Sequence, residues 1–272
     1  MFQDKVAVVT GSARGIGRHT AELLVAGGAK VVISDIDPDA AQHAASELGD
    51  AAVAHAGDIT KDGVPEALIG TAIDAFGRLD ILVNSAGYTL DAPVHKLPDD
   101  DFQAMLDIHT IAPFRLIRAA APHMREVAKA ERAEGREVFR KIVNVSSMAA
   151  YGNAGQANYS SAKAGMIGLT KTVAREWGSF NVNVNAVAFG LIDTRLTQAK
   201  TSETTVQVGE RTVTVGIPEQ TRSMMGAMVP LGRAGTTAEA AGGIVFFCSP
   251  WSDYVTGQVL NVSGGIAMGM QA

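Results

Sequence analysis

The chain opens on an uninterrupted apolar run, Val6-Ala7-Val8-Val9-Thr10, that passes straight into Gly11-Ser12-Ala13-Arg14-Gly15-Ile16-Gly17. A run this short and this apolar reads as a strand buried on both faces, the environment of a parallel sheet covered by helices. The residues after the glycines read as a helix to Ala26, stopped by Gly27-Gly28. Val31-Val32-Ile33 is a second strand, closed by Ser34-Asp35. Strand, glycine-rich turn, helix, strand and acid form one βαβ unit. Its glycines let bare backbone approach a pyrophosphate, and its helix N-terminus offers N–H groups and a positive dipole. The spacing here is GxxxGxG rather than GxGxxG, and a tight turn with no ligand would look similar. Asp35 sharpens the reading, because a carboxylate at that place can accept both ribose hydroxyls and repel a 2′-phosphate. NAD is therefore favoured over NADP, with Arg14 weighing the other way.

The same rhythm continues. Ala52–Ala56 reads as a third strand, followed by Gly57-Asp58-Ile59, where Asp58 either bonds an adenine amino group or serves the turn. Leu79–Val83 is a fourth strand, ending in Asn84-Ser85-Ala86-Gly87, small residues that let a cofactor lie near the backbone. Residues 100–124 read as one long helix, and the charged stretch 126–140 as its solvated extension, broken by Gly135. Residues 182–188 form a sixth strand, 240–247 a last helix and 257–262 a last strand. No linker or repeat interrupts this order, so residues 1–272 are expected to be one doubly wound α/β domain with a mostly parallel sheet. Residues 195–234 break the rhythm and read as a substrate lid, with a small hairpin (Val206–Val208 and Val213–Val215) and an adaptable Met224, Met225, Met228 group.

The chemistry is expected on the fifth strand and the helix after it, KIVNVSSMAAYGNAGQANYSSAKAGMIGLTKTVARE. Tyr159 and Lys163 are four apart and share a helix face. Ser146 stands at the strand's C-terminal end, where open parallel sheets bind ligands. A phenol with a reference pKa of about 10 is a poor acid at neutral pH, and a nearby ammonium would lower it. The serine hydroxyl would hold a carbonyl or alcohol oxygen beside the phenol.

Composition narrows the alternatives. The formal net charge is −5, from 23 basic and 28 acidic residues, which argues against nucleic-acid or anionic-membrane partners. No apolar run is long enough to span a bilayer, and no signal peptide is expected ahead of the first strand. The single Cys248, in IVFFCSP, suits a reducing cytoplasm and reads as a small buried hydrophobe. No metal site is expected.

Taken together, TGSARGIG at 10–17, NSAG at 84–87, Ser146 with Tyr159-x-x-x-Lys163, and VAFGLIDT at 187–194 resemble the short-chain dehydrogenase/reductase family over essentially the whole chain. The resemblance implies a Rossmann fold and hydride transfer between a nicotinamide and a carbonyl or secondary alcohol. Tyr159 would be the general acid or base, Ser146 would orient the carbonyl, and Lys163 would bond the ribose and lower the Tyr159 pKa. Gly11, Ser12, Arg14, Gly15, Ile16, Gly17, Asp35, Asp58, Ile59, Asn84, Ala86, Gly87, Ile192 and Thr194 would line the cofactor. Two residues depart from the family pattern: His109 replaces the asparagine of a proton relay, and Phe189 replaces a proline. The segments around Tyr159 and TGQVLNVSGG look most like 3-oxoacyl thioester reductases. An acyl-CoA substrate is favoured over acyl-carrier protein, because Arg125, Lys129, Arg132 and Arg136 are interspersed with acids. A steroid or polyol dehydrogenase, or a non-catalytic cofactor-binding scaffold, remains as an alternative. The family's packing of long helices implies a homotetramer.

Overall fold

The computed structural model describes residues 1–199, 205–208 and 211–266. Seven strands form one parallel sheet: β1 (Val6–Thr10), β2 (Lys30–Asp35), β3 (Ala52–Ala56), β4 (Ile81–Asn84), β5 (Arg140–Ser147), β6 (Val182–Phe189) and, last in the chain, Val259–Val262. Between β6 and that last strand, β7 (Thr205–Val208) and β8 (Arg211–Thr214) pair antiparallel as a separate ribbon, which makes Val259–Val262 strand β9. The sheet order is β3-β2-β1-β4-β5-β6-β9. Because β1 has β2 on one side and β4 on the other, the order reverses there and opens a crevice at the strands' C-terminal ends.

The strand residues serve two layers alternately, as the pleat requires. Val6 and Val8 face the layer of α3 (Val64–Phe76), α4 (Asp99–Leu106), α5 (Ala112–Ala121) and α7 (Ala157–Trp177). Ala7 and Val9 face α1 (Gly15–Ala26), α2 (Pro38–Glu47) and α9 (Thr237–Cys248). Cys248 packs in that second layer as expected, and burial pushes its thiol up to about 12. Along β6 the alternating asparagines are buried. Asn183 and Asn185 donate to the carbonyls of Asp253 and Val255, so the polar residues pin the loop before β9 instead of facing water.

Two expectations are corrected. The helix expected at 100–124 runs further, through α6 (Val127–Ala133), and it contains π turns at Asp107–Ile111 and Pro122–Glu126. Pro113 has no N–H to give the His109 carbonyl, so a regular α-turn cannot close there, and the wide turn relieves the mismatch. The stretch 126–140 is not wholly solvated. Arg140, 2% exposed, donates to both oxygens of Glu131 at 2.6 and 3.2 Å. A charged sequence run hides this pair because its partners meet only after Gly135, at φ +74°, turns the chain back.

Within 195–234 the hairpin forms as expected, and its turn residues 209–210 lie outside the described residues. Met224 and Met225 lie on α8 (Glu219–Ala227), with Met228 just beyond its end. Leu191, Val229 and Ile266 form a small core of their own, with Met225 and Ile217 packed on it. Met224 and Met228 stay exposed.

Candidate active site

The first wall of the cleft is the glycine turn between β1 and α1. Gly11 and Gly15 have φ near +62°, a conformation that side chains resist. A Cβ on Gly11 would lie 2.8 Å from the Ala86 Cα, and one on Gly17 would lie 2.4 Å from the Gly11 carbonyl oxygen. The turn therefore presses backbone against the end of β4, and helix α1 starts directly behind it. The Thr10 hydroxyl ties the two together by accepting from the N–H groups of Ser85 and Ala86 at 3.0 Å. Ser12 is fully buried, and its hydroxyl bridges the Val9 carbonyl and the Ser34 N–H, so it shapes the turn. Ile16 packs partly buried against the second core layer.

Asp35 ends β2 at the same rim, where its carboxylate accepts from the N–H groups of Ala13 and Asp37 at 3.3 Å. Arg14 reaches across to Asp37 at 2.7 Å. Asp58 accepts from the Thr60 N–H and hydroxyl, so it holds a turn, and Ile59 sends its side chain into the core. Asn84 is buried and donates to Asn144 at 2.8 Å, which donates to Thr170. A backbone cradle that a Cβ on Gly11 or Gly17 would fill, a helix N-terminus behind it and the Asp35 carboxylate along the rim fit a dinucleotide.

The second wall is the end of β5 with the first turns of α7. Asn158 anchors α7 by donating to the carbonyls of Leu90 and Asp101 and accepting from the Tyr159 N–H. Tyr159 and Lys163 share the inner face, with the ammonium 5.5 Å from the phenol ring centroid. Lys163 donates to the Val145 carbonyl at 2.6 Å, and burial lowers its pKa to about 7. The Tyr159 pKa is not lowered, against expectation. Burial of the phenol pushes it up to about 12, Asp91 adds to that, and the hydrogen bond from the Ser147 side chain works against it. In this state Lys163 is turned to the strand, too far from the phenol to offset its burial.

The serine expected in the chemistry stands at the end of β5, against α7. Ser146 is 1% exposed and donates to the Lys163 carbonyl at 3.0 Å. Ser147, the next residue, is half-buried, and its hydroxyl accepts from the Ala149 N–H at 3.1 Å. Successive strand residues point oppositely, so the two hydroxyls meet different partners.

His109 stands in the first π turn, 2% exposed, edge-on to Tyr159 with ring centroids 5.0 Å apart. Its Nε2 donates to the Tyr88 carbonyl at 2.8 Å, which leaves Nδ1 as an acceptor, buried and without a partner among the described residues. Burial and the Lys163 charge hold its pKa well below the usual histidine range, so the ring is neutral. A Cβ on Gly87 would lie 2.1 Å from this ring, so glycine there makes room for the imidazole. Ile192 is buried and bridges to Gly235, while Thr194 bonds Thr197, which also donates to the Ile192 carbonyl. Phe189 is buried at the end of β6 in the second core layer, and Gly190 fits closely against Ser263.

A family model described as enoyl-(acyl carrier protein) reductase matches residues 11–267. The 3-oxoacyl-(acyl-carrier-protein) reductase FabG of Vibrio cholerae is 39% identical, over 98% of this chain and 99% of that protein. The 3-oxoacyl-(acyl-carrier-protein) reductase of Synechocystis is 38% identical, over 97% of each. The crystal structure of a 3-ketoacyl-(acyl-carrier-protein) reductase from Brucella melitensis, complexed with NADH, superposes with a TM-score of 0.81 at 29% identity, covering 97% of this chain and 99% of that one. By sequence and by fold along nearly its whole length, the chain belongs to the short-chain dehydrogenase/reductase family of NAD(P)-dependent oxidoreductases, which act on CH–OH groups and the matching carbonyls.

Proposed function

We propose that the protein reduces a 3-oxoacyl thioester to the 3-hydroxyacyl thioester, or runs the reverse oxidation, with NAD(H) as the preferred cofactor. The observation that carries this reading is the meeting of Ser146, at the end of β5, with the α7 turn that carries Tyr159 and Lys163, supported by the 3-oxoacyl reductases the chain resembles. The bound nicotinamide supplies the hydride chemistry. The chain's own residues do the rest. Ser146 and the Tyr159 hydroxyl hold the substrate oxygen, and Tyr159 gives or takes the proton at that oxygen. Lys163 leaves the Val145 carbonyl, bonds the ribose and stabilises the phenolate. His109 is neutral, so it accepts a hydrogen bond at Nδ1 and does not carry the proton itself.

NAD preference follows from Asp35. Its carboxylate would accept the ribose hydroxyls and repel a 2′-phosphate, and Arg14 is already engaged by Asp37. The remaining residues of the proposed cofactor wall act through backbone and shape: Gly11, Ser12, Gly15, Ile16, Gly17, Ile59, Asn84, Ala86, Gly87, Ile192 and Thr194. A CoA thioester suits the surface better than an acidic carrier protein. Arg125 lies over Phe180, Arg132 donates to the Ser179 carbonyl, and Arg136 is paired with Glu134 and Glu131. The exposed Met224 and Met228, beside the small core of Leu191, Val229 and Ile266, would meet the acyl chain as part of a substrate lid. The single buried thiol suits a reducing cytoplasm, and the protein assembles as a homotetramer.

The test is oxidation of NADH by acetoacetyl-CoA, run beside NADPH and beside Tyr159→Phe. Turnover with NADH that vanishes in the variant supports the reading. Turnover only with NADPH refutes the part assigned to Asp35, and no turnover with any 3-oxoacyl thioester refutes the substrate.

A further inference from the structure

Helix α8 is nine residues long and buries none of them. A helix this short is marginal on its own, so contacts outside it must hold it in place. Met225 packs, partly buried, against the small core of Leu191, Val229 and Ile266. Arg222, three residues earlier, lies on the same side of the helix. Its Nε donates to the Thr197 carbonyl at 3.0 Å, and its Nη2 donates to the Asp193 carboxylate at 3.2 Å. Among the described residues, no other side chain of α8 makes a hydrogen bond or ion pair. The turn that receives Arg222 is fixed in its own right. The Thr197 hydroxyl accepts from the Thr194 N–H at 3.0 Å and donates to the Ile192 carbonyl. The Asp193 N–H donates to the Gly235 carbonyl at 2.8 Å.

We infer that Arg222 is a positioning residue for acyl-chain recognition: it latches α8 to the turn at 193–197 and so sets where the exposed Met224 and Met228 lie. The inference rests on the 3-oxoacyl reading and deepens it, by naming the residue on which preference for a long acyl chain depends. Met224 and Met228 are four apart, so they form one apolar stripe on α8, and both are exposed. Flexible thioether side chains recognise an apolar chain through the area they cover, and that area is lost when the helix beneath them swings away. A guanidinium suits the task of holding the helix. Its planar fork meets two acceptors at once, and its bond to the carboxylate is charge-assisted. A lysine at this place reaches one acceptor as a point charge and fixes the helix less well. Arg222 bonds neither Tyr159 nor Lys163, so the latch acts on binding of the chain and not on the proton step.

The experiment compares wild type, Arg222→Met and Arg222→Lys in two readouts. In hydrogen exchange without ligand, the amides of α8 exchange about tenfold faster in Arg222→Met, while those of the parallel sheet keep their wild-type rates. Arg222→Lys recovers part of the protection. In turnover, Arg222→Met raises KM for 3-oxodecanoyl-CoA about tenfold, with kcat within about twofold of wild type and KM for acetoacetyl-CoA nearly unchanged. Adding Asp193→Asn to Arg222→Met changes little further in either readout, because the two residues share one bond. Wild-type exchange of α8 in Arg222→Met would overturn the latch. An equal rise in KM for both thioesters, or a fall in kcat at constant KM, would overturn its part in chain recognition. No turnover of any 3-oxoacyl thioester by the wild type would bring down the substrate reading and the acyl role with it, and the exchange rates would still decide the latch.

Discussion

Lys163 carries a charge that its surroundings oppose. Its pKa is lowered to about 7 in the fold and is about 10.4 in the unfolded chain, so between those values the unfolded state binds the extra proton. Stability therefore rises with pH across that window, by at most about 1.4 kcal/mol per unit. Tyr159 acts oppositely. Its folded pKa of about 12 exceeds the free value of about 10, so the proton kept by the fold makes stability fall as pH rises from 10 to 12. Urea titrations without cofactor should show the rise between pH 7 and 10, and Lys163→Met should flatten it. An unchanged slope in that variant would show that the ammonium is better solvated than its burial suggests. The two serines give a second prediction at this scale. Ser146→Ala should lower kcat by about 10²–10³, the loss typical of a donor removed from a reacting oxygen. Ser147→Ala should keep most of kcat and instead lose about 1 kcal/mol of stability, since its hydroxyl caps the turn at Met148–Tyr151. The reverse pattern would move the chemistry to Ser147.

At the scale of elements, the contact of α1 with β1 has no slack. A Cβ on Gly17 would sit 2.4 Å from the Gly11 oxygen, and both partners are backbone. Gly17→Ala should destabilise by about 1–3 kcal/mol, lower the melting temperature by about 2–4 °C per kcal/mol, and weaken NADH binding more than it changes the fold. Wild-type NADH affinity in a folded Gly17→Ala would contradict the cradle. This contact was legible in the sequence because glycine spacing reports backbone approach directly. The strands were legible for a similar reason, since runs such as Val6–Thr10 and Val31–Ile33 have no stable place except a sheet covered on both faces. What was not legible lay in relations across the fold. The π turn that presents His109 depends on Pro113, four residues on, and on room made by Gly87 in another element. The pairing of Glu131 with Arg140 depends on where the chain turns back. The lid belongs to this scale too. Replacing 205–214 with a Gly-Ser linker should leave NADH affinity intact and raise KM for a long 3-oxoacyl thioester more than for acetoacetyl-CoA. Equal KM changes for both would remove the hairpin from acyl recognition.

For the whole molecule, the sheet ends on β9, which pairs with β6 on one side and, among the described residues, has no partner strand on the other. An open edge of this kind is a liability unless it is short, charged or covered. The surface near it is apolar: Trp251 and Tyr254, in the loop leading to β9, are exposed, as is Phe246 on the adjoining α9. Large exposed aromatics beside an unpaired strand mark a surface that another chain covers. The proposed homotetramer supplies that cover through a two-fold interface, in which the same patch meets itself. On the opposite layer, Phe114 on α5 and Val127 on α6 are also exposed and suit a second, independent interface. Two distinct isologous interfaces in one chain generate a tetramer rather than a dimer. Light scattering at micromolar concentration should therefore give four times the mass of the chain. Trp251→Glu with Tyr254→Lys should reduce the particle to a dimer held by the helical face, without unfolding it. A monomer in the wild type would refute the assembly, and a tetramer that survives both substitutions would move the interface away from β9.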